Sequence, residues 1–493
     1  MKRFFLPVLF LLAAVPGFAQ LASDVLRYSY LQPGGTARYL GVGGAFGALG
    51  AEYSSLSNNP AGLAMFRSNE LVFTPSLKFS RTEASLTGGI PLADTKSNFG
   101  FDNVGFIFNT TPRSAKWKTF NVGIGLNRLN NFHQSVYYEG SAQGTILKGL
   151  FNEASALLNN GGSSEDLYPF STQLAYNANA IYYQDNVLTY DFMDNPAAVV
   201  NRNQTLTTSG RMNEMVLSFA GNYEEKLMIG ATVGVPFVNY KLNGEYQESD
   251  PGGGVDGNVP FFSGLSYTEY LRTEGVGVNL KLGIAYRVSQ ALRLGVAFHT
   301  PTYLGLTDHY SNTFSYDYED GGGSVLGKEQ SSPEGVTDYR LRTPWRAIGS
   351  AAVLINKSGF LSADVEVVDY SANTYNLTAN VNNSENKMAE RELNSEIQRA
   401  YKTTANIRVG GEVAMNDFRL RAGVNLLGKP EANDSGFNMA YTAGAGIHGE
   451  SFYLDLGYRL SKGKGFVTPY DNAPVATTNT TNNELLLTVG FKF

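Results

Sequence analysis

A two-residue alternation, repeated along the chain, constrains the fold more than any other feature of this sequence. In "LVFTPSLKF" one face carries Leu71, Phe73, Pro75, Leu77 and Phe79, and the other Val72, Thr74, Ser76 and Lys78. "FNVGIGLN" sets Phe120, Val122, Ile124 and Leu126 against Asn121, Gly123, Gly125 and Asn127. "VGVNLKLGIAYR" and "FYLDLGYRL" repeat the pattern over residues 276–287 and 452–460. Successive strand side chains point to opposite faces, so each segment has one apolar face and one polar or very small one. The segments run to about ten residues, the length at which a tilted strand crosses a bilayer; strands of soluble sandwiches average about 5–6. Glycines and charges share the second face, as in a filled or wet barrel lumen.

The connectors give an independent test. Strands are expected near 69–80, 103–109, 117–129, 213–223, 227–238, 275–287, 292–301, 341–355, 359–370, 403–414, 418–427, 439–448, 451–461 and 484–493, fourteen in all. The links after even-numbered segments are short: "TTPRSAK", "EEK", "VSQA", "NKSG", "MND" and "GE". Those after odd-numbered segments are longer. A bacterial membrane barrel has an even strand number, short periplasmic turns and long external loops; a sandwich has no reason to sort its links by parity. The expected fold class is all-β: a 14-stranded antiparallel transmembrane β-barrel with an N-terminal plug and helix-containing extracellular loops, in the outer membrane of a Gram-negative bacterium. The last segment, "LLLTVGFKF", puts Leu485, Leu487, Val489, Phe491 and Phe493 on one face. It resembles the strand read by barrel-assembly machinery, and closure would remove its edge.

The first residues agree with export. "MKR" is basic, "FFLPVLFLLAAV" is a short apolar run and "PGFAQ" supplies small residues, so 1–19 is expected to be a signal peptide cleaved between Ala19 and Gln20. No later apolar run approaches the length of a membrane helix. The chain has no cysteine, so disulfides contribute nothing in an oxidising compartment. Its net charge is −6, which loss of Lys2 and Arg3 deepens, and nucleic acid is not an expected partner.

Residues 20–68 precede the first strand and carry little alternation. "GVGGAFGALG" (41–50) mimics a phosphate-binding loop, but Phe46 stands where the third glycine of G-x-G-x-x-G belongs, and no Walker lysine follows. Plug packing explains Gly41, Gly43, Gly44 and Phe46 better, since glycine permits tight turns and close backbone approach. Asn58, Asn59, Pro60, Ala61 and Gly62 form a turn signal. Leu40, Val42, Leu49, Leu63 and Phe66 argue for burial inside the barrel rather than for a disordered tail. The barrel is expected over 69–493, with 130–212 as its largest external insertion. Within that insertion Ile146, Leu150, Ala154 and Leu157 fall at helical spacing. Such a helix either caps the barrel or offers an apolar ligand groove along Ile146, Leu150 and Leu157. Residues 387–401 read as a second loop helix.

The signal peptide, the stretch "GGTARYLGVGGAFGALGAEYSSLSNNPAGLA" and the fourteen-strand pattern together resemble the FadL/TodX family of outer-membrane transporters. The resemblance extends to "LRTPWRAIGSAAVLI", "LSADVEVVDYS" and "FRLRAGVNLL". It implies passive uptake of long-chain fatty acids or other hydrophobic compounds past an N-terminal hatch, with Asn59, Pro60 and Ala61 matching the hatch turn.

Catalysis has little support, because G-x-S-x-G and H-E-x-x-H are absent and His133, His299, His309 and His448 lack local partner motifs. His299 and His448 fall on polar strand faces and are expected to line the lumen rather than bind metal. The loop with Asp317, Glu319 and Asp320 reads as solvated rather than calcium-binding. No cofactor is expected. The expected partners are a hydrophobic small molecule, outer-membrane lipid with lipopolysaccharide, and the assembly machinery. Rival functions are a general porin and a scaffold for protein export, with haem uptake a narrower variant. A lateral opening is expected at Gly123 and Gly125, where the third strand lacks bulk.

Overall fold

The computed structural model describes residues 24–32, 34–252, 257–320, 324–356, 358–377 and 383–493. The expected signal peptide and cleavage site lie outside these residues. Fourteen strands form the wall: β1 (Glu70–Leu86), β2 (Leu92–Thr110), β3 (Trp117–Asn131), β4 (Val199–Tyr223), β5 (Leu227–Ser249), β6 (Phe262–Arg287), β7 (Leu292–His299), β8 (Arg346–Ile355), β9 (Gly359–Asp369), β10 (Thr403–Met415), β11 (Phe418–Gly428), β12 (Phe437–His448), β13 (Phe452–Val467) and β14 (Ala476–Lys492). Each pairs antiparallel with the next. β14 returns to β1 in register from Glu70↔Lys492 to Leu86↔Ala476, so the barrel is closed.

Several strands run far beyond a bilayer: β4, β5 and β6 have 25, 23 and 26 residues. The outward face of β6 shows which part crosses. Val276, Val278, Leu280, Leu282, Ile284 and Tyr286 are all exposed apolar residues, whereas the same face higher up carries Thr268, Tyr270, Arg272 and Glu274. The apolar stretch covers residues 276–286, which matches the roughly 9–11 residues that a tilted crossing strand needs. Above it the wall projects outward as a polar-faced platform.

Two expected strands are interrupted. The seventh stops at His299 and resumes as Tyr303–Glu319; the eighth, expected as 341–355, is split into Gly335–Arg342 and Arg346–Ile355. Pro301 and Pro344 sit in the breaks, and proline cannot donate to a ladder. Thr302 and Thr343 bridge the gap instead: Thr343 N donates to Thr302 O at 3.0 Å, and Thr302 N to Thr343 Oγ1 at 3.0 Å.

Both expected loop helices are present, at Leu147–Leu158 and Ser384–Ala400. The first ends at Asn159, followed by Gly161 with φ +86°, and the second starts on the Asn383 side chain, which accepts from Asn386 N at 2.7 Å. The first helix packs into an external apolar core with Leu174, Phe192, Phe262, Phe314 and Tyr316. Leu393 and Ile397 of the second close over the upper lumen beside Tyr28, Tyr339 and Tyr375.

Candidate functional site

Residues 34–66 occupy the lumen, and nearly all are buried. Their chain is mostly irregular, so its N–H and C=O groups need partners away from water. The inward polar faces of the strands supply them. Asp364 of β9 accepts from Phe46 N at 3.2 Å, Gly47 N at 3.1 Å and Asn58 Nδ2 at 3.4 Å. Thr232 donates to Leu56 O (2.8 Å), Asn121 to Leu63 O (2.7 Å), Thr119 to Ala64 O (2.7 Å) and Arg293 to Leu49 O (2.8 Å). His299 Nε2 lies 2.9 Å from Asn58 O.

The turn Asn58–Gly62 is the hub of this insert. Asn59 Oδ1 accepts from Ala61 N at 3.2 Å and caps the short helix Pro60–Met65, with proline at its first position, where a missing N–H costs nothing. Asn59 Nδ2 donates to Gly47 O at 2.6 Å, joining the turn to the glycine-rich stretch. Gly43 and Gly44 have φ of +68° and +74°, conformations that side chains resist. Phe46 packs edge-on to Phe360 of β9 at 5.7 Å, and a side chain at Gly41 would crowd Arg421 and Gly444. The wall is cut to fit: a Cβ at Gly283 would stand 2.0 Å from Asn59 Oδ1, one at Gly230 2.4 Å from Pro60, and one at Gly410 2.1 Å from Val42 O.

Above the insert lies a cavity of mixed character. Tyr28, Leu31, Leu129, Met212 and Ile348 give it apolar walls, and its floor is charged. Arg346 binds Glu366 at 2.7 Å, Arg408 binds the same carboxylate, and Lys281 pairs with Glu214. Arg346 also donates to Ser29 O, tying the helix at residues 24–29 over the cavity. The cavity encloses about 60 Å³, so an amphiphile would lie with its apolar body against Leu31 and Met212 only after the insert or the helix at residues 24–29 shifts. On the insert itself, burial pushes the Glu52 carboxyl up to about 7, opposed by hydrogen bonds from Thr36 and Ser54 and by the charge of Arg38.

The remaining sequence expectations fall in defined places. Gly123 and Gly125 lie within unbroken ladders to β2 and β4. They face inward, where an added Cβ would strike Leu56 at 2.6 Å and the Tyr53 hydroxyl at 2.0 Å. Their small size makes room for the insert, and the wall stays shut at that level. The opening in the β2–β3 ladder is higher: their pairing stops at Asn103↔Asn127. Beyond it β2 pairs with β1, and a separate strand, Gln134–Gln143, pairs with β4. Side chains close this seam, with Asn131 Nδ2 donating to Asn98 Oδ1 at 3.1 Å and Asn98 Nδ2 3.1 Å from His133 Nε2. Burial and the charges of Lys96 and Lys78 hold the His133 imidazole down at about 4. Ile146 and Leu150 are 6% and 9% exposed within the external core, and Leu157 packs against it. The helix face expected as a groove is filled by its own neighbours. His448 binds Asp455 at 3.0 Å, and His309 lies 3.6 Å from Glu334. Asp317, Glu319 and Asp320 belong to no cluster suited to an ion among the described residues.

Asp364, Lys281, Arg346 and Arg408 went unremarked in the sequence as site residues. Their only signal was a charge on the second face of an alternating segment, as in "LSADVEVVDYS".

Comparison with known proteins places the architecture. No protein-family model matches the chain, and no curated protein matches it. Among solved structures, a Pseudomonas aeruginosa FadL homologue aligns at a TM-score of 0.54 with 15% identity, covering 94% of this chain and 100% of its own. The toluene transporter TodX of P. putida aligns at 0.51 with 12% identity, covering 93% and 98%. The chain therefore has the FadL/TodX fold.

Proposed function

We propose that the protein is an outer-membrane channel of a Gram-negative bacterium that takes up a hydrophobic compound, such as a long-chain fatty acid, by passive diffusion past an N-terminal hatch. The observation that carries this reading is the amphiphilic cavity above a lumen filled by residues 34–66. An alkyl chain gains about 0.8 kcal/mol per buried methylene, so ten methylenes supply roughly 8 kcal/mol before ordering costs. That suffices for capture without catalysis. The hatch is the insert, its turn is Asn58–Gly62, and its displacement opens the way down. The filled lumen argues against a general porin. A neutral compound leaves sideways through the seam above Asn103 and Asn127, where exposed Phe99 and Phe101 border the wall. Lipid and lipopolysaccharide surround the apolar belt, and barrel-assembly machinery inserts it.

The test is uptake of labelled fatty acids and of toluene by cells with and without the protein. Uptake should rise several-fold with the protein and fall when Met212→Trp fills the cavity. Equal uptake in all three strains for every compound removes this reading.

A further inference from the structure

A second cavity lies below the insert, on the side of the short turns. Its apolar lining includes Leu49, Met65, Leu354 and Phe360; its charged lining is Arg38, Arg67, Arg287 and Arg293, with no carboxylate. Arg287 of β6 and Arg293 of β7 are direct cross-strand partners. Both face the lumen, since their neighbours Tyr286 and Leu294 are exposed on the outer face. Like charges placed opposite each other on one sheet face destabilise it unless something neutralises them. The nearby carboxylates do so only in part. Glu225 lies 3.7 Å from Arg287 and is shared with Arg67 at 3.2 Å, while Glu412 is held by Arg38 and Arg421. Among the described residues Arg293 has no carboxylate partner; its bonds go to Leu49 O at 2.8 Å and to the Met65 sulfur at 3.6 Å. The Nε atoms of both Arg287 and Arg293 are buried without a hydrogen-bond partner.

We infer that this cavity is an anion site on the periplasmic face of the hatch. It receives the carboxylate of a single-chain amphiphile between Arg287 and Arg293, with the tail against Met65 and Phe360. Guanidinium forks match carboxylate oxygens, and two of them neutralised by one anion relieve the like-charge pair. The arrival of such a molecule rests on the uptake reading. The site explains how an acid could leave without dragging its charge into lipid: neutral cargo exits sideways, and carboxylates pass the hatch. An anionic lipid from the inner leaflet presents the same chemistry, a monoanionic head on an alkyl tail.

The test uses the purified full-length protein in neutral detergent and a dodecanoate bearing a terminal diazirine, with labelled peptides mapped after irradiation. Labelling is expected at two places, around Met212 and around Met65 and Phe360. Arg287→Gln, which spares the bond from Arg293 to Leu49 O, should cut the lower labelling about tenfold and leave the upper unchanged. Arg287→Lys, which keeps the charge but loses the fork, should fall between the wild type and Arg287→Gln. The matching diazirine alcohol needs no variant and should label the lower peptides about tenfold less than the acid. Equal labelling by acid and alcohol, or protection by phosphatidylglycerol but not by unlabelled dodecanoate, overturns the inference. Upper labelling without lower removes this site and spares the uptake reading; no labelling at either removes both.

Discussion

The two filled spaces of this molecule are held by opposite means. Outside, the helix Leu147–Leu158 joins Phe192, Phe262, Phe314 and Tyr316 in an apolar core. Inside, residues 34–66 are held largely by side chains of the wall that bond to their backbone, with Asp364 alone taking three donors. Separating the outer core exposes apolar surface with nothing to replace it. In the lumen each lost bond can be remade with water, one at a time, so the net cost per step is small. On the proposed uptake reading, rigidity falls to the loops and displacement to the insert. The apolar clusters that the insert does make, around Phe46 and Leu56, lie on either side of the polar hub.

The largest effect that would sharpen this contrast is expected for Phe314→Ala. It should destabilise the outer core by about 3–5 kcal/mol, seen as protease nicking between residues 146 and 198 at a lower temperature, with insert protection unchanged. Coupled loss of amide protection at Gly47 would break the division. Next, Asp364→Asn should weaken docking by about 2–3 kcal/mol, because charge-assisted acceptance by both oxygens is lost. Amide exchange at Phe46 and Gly47 should accelerate about 30–140-fold while the barrel band on cold gels persists. Failure to assemble at all would make the insert part of the barrel core. The smallest effect concerns Glu52. Its carboxyl is raised from 4.5 to about 7, so the docked insert binds the proton more tightly than the released one. The stabilisation is complete below about pH 4.5 and is lost as pH rises through 7. Exchange at Tyr53 and Ser54, corrected for intrinsic rates, should therefore speed up from pH 5 to 8, and Glu52→Gln should flatten that dependence. A slope in the opposite direction, or one that survives the substitution, rejects the assignment.

The barrel was legible because its signal is local and repeated. Alternation located the crossing part of the strands and gave their count, which connector parity tested independently. The upper halves of β4, β5 and β6 were missed because above the bilayer both faces are polar, as in "YTEYLRTE", and alternation has no contrast there. The breaks at Pro301 and Pro344 carried a signal, the prolines themselves, that continuity of pattern overrode. The turn Asn58–Gly62 could be read because asparagine and proline shape the backbone over a few residues. Arg287 facing Arg293 could not, since register decides it. Ile146 and Leu150 show the limit in another way: an apolar helix face looks the same whether a ligand or the protein's own loops will cover it.

The ladder between β14 and β1 has a consequence for the order of assembly. It joins the strand that directly follows the insert to the one made last, so the insert is exported before the wall that surrounds it can close. The donors and acceptors that grip it arrive in sequence, Asn121 on β3, Thr232 on β5, Asp364 on β9 and Thr442 on β12, which donates to Gly41 O at 3.1 Å. Thr488 on β14 comes last and accepts from Ala37 N at 2.7 Å, fastening the start of the insert at the moment of closure.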